Sequence, residues 1–195
     1  KENAPSRGYF TALDPDKEIM DNVKRQLGLD EYNFLKEKVQ SPKKEIIDSL
    51  IHSGFILNLL MKDNYFLEAN FSLSEKELTM NSIESLLQIK SQLIWLNLSN
   101  SNVTDDNLKK IGQLEKLMKL NLSKTNISDK GLLHLGKLQK LESLNLFKTE
   151  VSKELLTVIP RLPHLKRLYL SESNATNEIV SQLKINNQNL KIIND

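Results

Sequence analysis

Catalysis in this chain would have to be built from few parts. Three histidines, His52, His134 and His164, are the imidazoles on hand for general acid–base or metal chemistry. No carboxylate cluster stands at metal-ligand spacing from any of them, so each reads as a surface or half-buried residue. Asp105 and Asp106 form a carboxylate pair that could share a proton, but their place directly after Thr104 makes them charges in the first turn of a helix. There is no cysteine, which excludes disulfides, thiolate metal sites, a Cys nucleophile and haem attachment within these residues. No Gly-rich phosphate loop, Gly-x-Ser-x-Gly elbow or His-Glu-x-x-His helix occurs. The residues call for no cofactor and no metal, and they point away from an enzyme. Asn-x-Ser/Thr sequons at Asn70, Asn97, Asn102, Asn121, Asn126 and Asn174 are by-products of a repeat and carry no weight as glycosylation sites.

The chemistry that remains is binding. Trp95, Phe147, Arg167 and Tyr169 are of the types enriched at the energetic centres of protein interfaces. Their spacing shows how they could be gathered: Leu93-Ile-Trp-Leu96-Asn-Leu98 recurs from Leu117, Leu141 and Leu165, each start 24 residues after the last. A fifth start at Leu190 comes 25 residues on, and Ala69-Asn70-Phe71-Ser72 matches Leu96-Asn97-Leu98-Ser99 at a spacing of 27. Alternation sends the Leu residues inward and the positions between them outward. Stacked copies would then build three columns. Trp95, Lys119, Ser143, Arg167 and Ile192 form the first, and Asn70, Asn97, Asn121, Asn145, Tyr169 and Asn194 the second. Ser72, Ser99, Ser123, Phe147 and Ser171 form the third. The candidate partner-binding residues are Trp95, Asn97, Lys119, Asn121, Asn145, Phe147, Arg167 and Tyr169. The asparagines have two readings, a structural amide ladder running along the sheet or donors and acceptors for a partner.

The elements that must position these columns follow from the other apolar positions. Val103, Ile127, Val151 and Ala175 trail each strand, and Leu108, Leu132, Leu156 and Val180 sit five residues further. Ile111, Leu135, Ile159 and Leu183 come three residues later again. One unit is a short strand, a turn and a helical or 3₁₀ segment. No unit can enclose its own apolar face, so the units must stack. Ser101, Thr125, Thr149 and Ser173 are hydroxyls able to bond a backbone group beneath the turn. Thr104, Ser128, Ser152 and Thr176 are placed to cap the convex helices. The expected architecture is an α/β leucine-rich-repeat solenoid of 24-residue units, with a parallel concave sheet, short convex helices and an α-helical N-terminal cap.

Leu117 to Leu135 runs Leu-x-x-Leu-x-Leu-x-x-Thr-x-Ile-Ser-Asp-x-Gly-Leu-x-x-Leu and resembles the 24-residue leucine-rich repeats of bacteria. The stretch from Gly54 through Gln92-Leu93-Ile94-Trp95-Leu96 is similar to the C-terminal repeat domain of bacterial envelope proteins that carry a c-type cytochrome domain upstream. That resemblance implies a bacterial protein on the periplasmic or extracellular side of the envelope.

Residues 1–11 read as a flexible lead-in, 12–65 as the cap and 66–195 as the repeat array. Asp14-Pro15-Asp16 opens a helix carrying Ile19, Met20, Val23 and Leu27, ended near Gly28, and a second helix follows over 31–39. A third starts at Ser41-Pro42, turns Ile46, Ile47, Leu50 and Ile51 inward and closes at Gly54. Two strand-like runs, 55–60 and 65–71, flank a turn at Lys62-Asp63-Asn64. The chain begins at Lys1 without a Met and reads as a fragment or processed product.

Composition agrees with this plan: 39% of residues are hydrophobic but only 6% aromatic, which suits a regular core of one repeated side-chain type. The net charge of +2 is unevenly divided, about −3 over residues 1–92 and about +5 over 93–195, but the lysines are scattered through the repeats and form no basic block for nucleic acid. No apolar run is long enough to span a membrane. The functional expectation is a non-catalytic module that binds a protein through the concave face, as a monomer or as a weak homodimer through its C-terminal end. The rival is a rigid spacer or docking element within a larger membrane-bound redox protein.

Overall fold

The computed structural model describes residues 39–61 and 64–194. The expected lead-in, the first two expected helices up to residue 38, and residues 62 and 63 of the expected turn lie outside these. The elements run α1 (Lys44–His52), β1 (Ile56–Leu59), β2 (Leu67–Asn70), α2 (Met80–Gln88), β3 (Leu93–Asn97), α3 (Asp105–Ile111) and β4 (Lys119–Asn121). They continue through α4 (Asp129–Leu132), a 3₁₀ turn (Leu133–Lys137), β5 (Ser143–Asn145), α5 (Leu155–Val158), a second 3₁₀ turn (Ile159–Arg161), β6 (Arg167–Tyr169), α6 (Asn177–Asn186) and β7 (Lys191–Ile193). Among the described residues the strands form one sheet in sequence order, antiparallel between β1 and β2 and parallel thereafter.

Each repeat closes by the same local chemistry. Leu96, Leu120, Leu144 and Leu168 stand side by side on successive strands, all buried in one continuous core. Past the strand the backbone must reverse tightly, and Asn100, Lys124, Lys148 and Glu172 adopt left-handed φ of 53 to 57° there. The hydroxyls of Ser101, Thr125 and Thr149 donate to the carbonyls of Leu98, Leu122 and Leu146 at 2.6–2.7 Å. These bonds satisfy carbonyls that the turn takes out of the ladder.

The convex side is joined by a second device. Asp105 in the first turn of α3 accepts the backbone N–H of Ser128 at 2.8 Å and its hydroxyl at 2.7 Å. Asp129 in α4 takes the same two groups of Ser152 at 2.6 and 2.7 Å. Each carboxylate therefore lies at a helix N-terminus and ties one repeat to the next. Gly131 passes so close to Asp105 that a Cβ there would meet its carboxylate and backbone.

At the N-terminal end β1 lies antiparallel on β2, pairing Ile56 with Asn70 and Leu59 with Leu67. It thereby covers the edge that the parallel sheet would otherwise expose. Helix α1 contributes Ile47 and Leu50 to the main core, and Gly54 leaves it at φ 103°, a conformation glycine adopts without strain. Five further residues, Leu60, Met61, Phe66, Ile94 and Met118, make a smaller apolar cluster against which Trp95 and Val39 pack.

Several expectations are corrected. Ile51 is exposed, because the inward stripe of α1 runs through Ile47 and Leu50 with Ile46 at its margin. Leu155, not Leu156, is fully buried in the fourth convex segment, where α5 and its 3₁₀ turn shift the inward face by one residue; Leu156 is half-buried. Ser152 does not cap a helix, since its hydroxyl is committed to Asp129 and α5 starts only at Leu155. The last strand returns to a 24-residue register, so Lys191 pairs with Arg167, Ile192 with Leu168 and Ile193 with Tyr169. Ile192 thus faces the core instead of joining the first column, and Ile193 takes the place expected of Asn194 in the second.

Candidate recognition groove

Parallel pairing places Glu68, Trp95, Lys119, Ser143, Arg167 and Lys191 in one row across the sheet, with Asn70, Asn97, Asn121, Asn145, Tyr169 and Ile193 in a second. The register shift between Leu67 and Glu68 brings Glu68, not Leu67, opposite Trp95. Alternation keeps both rows off the leucine core, and their members from Trp95 to Tyr169 are half-buried. Trp95, Asn97, Lys119, Asn121, Asn145 and Tyr169 line an open groove of about 270 Å³ together with Glu68, Ser143, Leu96 and Leu120. Arg167 stands beside it, in register with Ser143. Phe147 does not line the groove. It lies beyond the end of β5, where its N–H bonds to the Asn145 side chain.

The asparagines make no amide ladder along the sheet. Asn70, Asn97, Asn121 and Asn145 turn their side-chain oxygens back to the N–H two residues on, in Ser72, Ser99, Ser123 and Phe147, at 2.9–3.1 Å. Such Asx bonds end each strand and start its turn. One link runs between repeats, from the Asn97 amide to the Ser72 hydroxyl at 3.4 Å.

The electrostatic centre is Lys119, whose Nζ lies 3.6 Å from the centre of the Trp95 ring. A cation held over an indole is attracted by the negative π face. Burial first and the Arg167 charge second lower the Lys119 pKa from 10.5 to about 8, against the opposing pull of Glu142 and Glu68. Glu142 is itself only 1% exposed and lies 3.7 Å from Lys166. Glu68 accepts a hydrogen bond from the Asn58 amide at 3.0 Å. The indole N–H of Trp95 is buried without a hydrogen-bond partner among the described residues.

Sequence reasoning missed Glu68 and Glu142. The 27-residue spacing that relates Asn70 to Asn97 also relates Glu68 to Trp95, so the signal for Glu68 was present. Glu142 gave none, because the equivalent positions hold Ile94, Met118 and Lys166. His52 ends α1, His134 lies in the first 3₁₀ turn and His164 precedes β6. Among the described residues no three His, Cys, Asp or Glu side chains are grouped as metal ligands, and no helix is long and apolar enough to cross a membrane.

No protein-family model and no curated protein matches the chain. Solved structures do show a likeness. Internalin C2 of Listeria monocytogenes is similar over 55% of this chain and 45% of its own, at 24% identity and a TM-score of 0.45. A leucine-rich-repeat protein of Leptospira interrogans is similar over 62% of this chain and 30% of its own, at 24% identity and a TM-score of 0.47. A second Listeria monocytogenes internalin is similar over 62% and 39%, at 21% identity and a TM-score of 0.42. The chain spans less than half the length of each. By its stacked parallel strands, its buried leucine ladder and its helices between strands, the chain is an α/β leucine-rich-repeat solenoid.

Proposed function

We propose that the chain is a non-catalytic protein-recognition module whose partner lies against the concave face. The observation that carries this reading is the groove itself. Trp95, Lys119 and Tyr169, drawn from three different repeats, share one surface that the leucine core does not need. Large side chains with a polar tip on a rigid sheet lose little conformational freedom on binding, which is what favours such residues at interface centres. The setting we propose, the periplasmic or outer side of a bacterial envelope, rests on the sequence resemblance alone.

The test compares capture from the native envelope fraction by the wild-type chain, by Tyr169→Ala and by the convex variants Lys109→Ala and Lys137→Ala. The captured protein is then purified and its affinity measured directly. Tyr169→Ala should weaken binding by about 2 kcal/mol while the convex variants leave it unchanged. Equal binding by all four would sink the concave-face reading and leave the spacer role. Tyr169 suits this test better than Trp95, because Trp95 also packs on the small apolar cluster and its loss would disturb the fold.

A further inference from the structure

The repeats carry their charges on opposite rims of the sheet. Carboxylates collect where strands end and convex helices begin. Asp105, Asp106, Asp129 and Glu178 lie in the first turns of α3, α4 and α6, and Glu154 directly precedes α5. A helix N-terminus favours negative charge there, and the cations of that rim, such as Lys130 and Lys153, are set among these acids. The other rim is made of the turns that lead from each convex segment into the next strand. Over residues 112–116, 136–140, 160–164 and 184–188, Glu115 is the one carboxylate. Lys137, Arg161 and Lys184 are exposed on this rim and have no ion-pair partner among the described residues. Two contacts hold neighbouring turns together. The Gln139 side chain donates to the carbonyls of Gly136 and Arg161 at 3.1 and 2.9 Å. Arg161 lies so close to Gly136 that a Cβ there would meet its Cδ at 3.1 Å. The row that begins with Lys137 and Arg161 ends on an apolar residue. Ile185 follows at the same 24-residue period, and each of the three stands two residues after a buried core position, Leu135, Ile159 and Leu183. Two residues are about 200° round a helix, so Ile185 points away from the core, and it is 73% exposed.

We propose that this rim docks the chain on an anionic lipid bilayer, with Lys137, Arg161 and Lys184 among the headgroups and Ile185 at the boundary with the acyl chains. The three cations stand on long stems from three separate turns. A folded acidic protein would have to match that spacing group by group, whereas a bilayer supplies diffuse negative charge that adapts to it. Ile185 favours the same occupant. An isoleucine among cations would be pressed against charge on an acidic protein, but at a bilayer it reaches apolar chains while the Lys and Arg heads stay at the headgroup level. The carboxylates of the opposite rim are repelled by the same surface, so the orientation is fixed. The strands stand upright on the membrane and the groove opens sideways. The rim is no part of the groove, and the proposal does not rest on the concave-face reading.

Binding of the full chain is measured by flotation with vesicles of phosphatidylcholine and phosphatidylglycerol, and with vesicles of phosphatidylcholine alone. One triple variant combines Lys137→Gln, Arg161→Gln and Lys184→Gln. A charge-matched control combines Lys124→Gln, Lys130→Gln and Lys153→Gln, all exposed and on the opposite rim. Ile185→Ser completes the set, and thermal melts confirm that each variant folds. The wild type should float with the anionic vesicles alone and be released by salt. Each cation contributes about fivefold, so the first triple variant should bind about a hundredfold more weakly, while the control stays within a few fold of the wild type. Ile185→Ser should weaken binding several-fold. No flotation with the anionic vesicles would overturn the proposal. Equal losses in the two triple variants would overturn it as well, since net charge and not the rim would then be responsible. Polyglutamate or a thymidine oligonucleotide bound as tightly as the vesicles, with Ile185→Ser floating like the wild type, would put a soluble polyanion in place of the bilayer and overturn it too. Tyr169→Ala should float like the wild type, so this proposal and the concave-face reading can fail separately.

Discussion

Replacing Asp129 by Ala removes one of the two carboxylates that tie successive repeats together on the convex side. It takes away both acceptors of Ser152, the N–H bond of 2.6 Å and the hydroxyl bond of 2.7 Å. A hydrogen bond to a charged group contributes about 1.5–3 kcal/mol when well shielded. Asp129 and Ser152 are both half-buried, so water recovers part of that loss. The expected net cost is about 2–3 kcal/mol for the pair of bonds. Asp129→Asn keeps one oxygen for the N–H and should cost about half as much, roughly 1 kcal/mol. The internal control is Asp106→Ala. Asp106 sits in the first turn of α3 as Asp129 does in α4, but it is exposed and makes no side-chain hydrogen bond among the described residues. Only its interaction with the helix dipole is lost, about 0.5 kcal/mol. Urea unfolding followed by far-UV circular dichroism measures all three, provided the slope of the transition is unchanged, so that the midpoint reports stability. Equal midpoints for Asp129→Ala and Asp106→Ala would refute the reasoning, because the inter-repeat bonds would then contribute nothing beyond a helix-end charge.

Leu120 and Leu144 occupy equivalent positions on β4 and β5, and truncating either to Ala should cost about 2–5 kcal/mol in the same urea assay; an unchanged midpoint would contradict the shared register. Lys148→Gly should raise stability by about 0.5 kcal/mol, since glycine relieves the left-handed strain at φ 53° while giving back part of the gain as unfolded-chain entropy. The ion pair it breaks, Lys148 with Glu172 at 3.5 Å, is exposed at both ends and should not offset this. Because the Lys119 pKa is depressed in the fold, the unfolded chain holds more protons between pH about 8 and 10.5, and stability relative to Lys119→Gln should increase as pH rises across that window. Trp95 fluorescence should report the same titration near pH 8 and lose it in Lys119→Gln. Deleting residues 1–72 should bare the β3 edge and the first repeat's core and cause aggregation, measured by light scattering; a soluble monomer would contradict the capping role of β1 and β2.

The repeat was legible because a buried position in a stack has one solution. Leu at 96, 120, 144 and 168 must face inward if each unit is to be covered by the next, and the spacing alone reveals it. The Ser/Thr hydroxyls beneath the turns were legible for a similar reason, since a small inward group has few backbone acceptors in reach. Where the spacing was irregular the reading slipped. The 25 residues from Leu165 to Leu190 hid a strand register of 24, and the slip at Leu155 depends on how tightly a 3₁₀ turn closes. The site was half legible. Alternation gave the two rows, but the Asn oxygens turned back to their own chain, a local bond that periodicity cannot weigh against one to a neighbouring strand. Glu142 was hidden because its equivalents are unlike it, and its burial is visible only once strands from different repeats are side by side.

The single antiparallel pair has a consequence for how the chain is made. β1 and β2 are separated by seven residues of chain, whereas every later strand is reached through a crossover that includes a convex segment. The hairpin closes the shortest loop in the sheet, so its entropy cost is least and it can form first. It then offers β3 a ready edge, β3 offers one to β4, and so on towards β7. The order of the strands in the sheet is also their order in the chain, so the edge on which each strand pairs precedes it in the sequence. Growth from that end covers the leucines of each unit as the next unit docks on it.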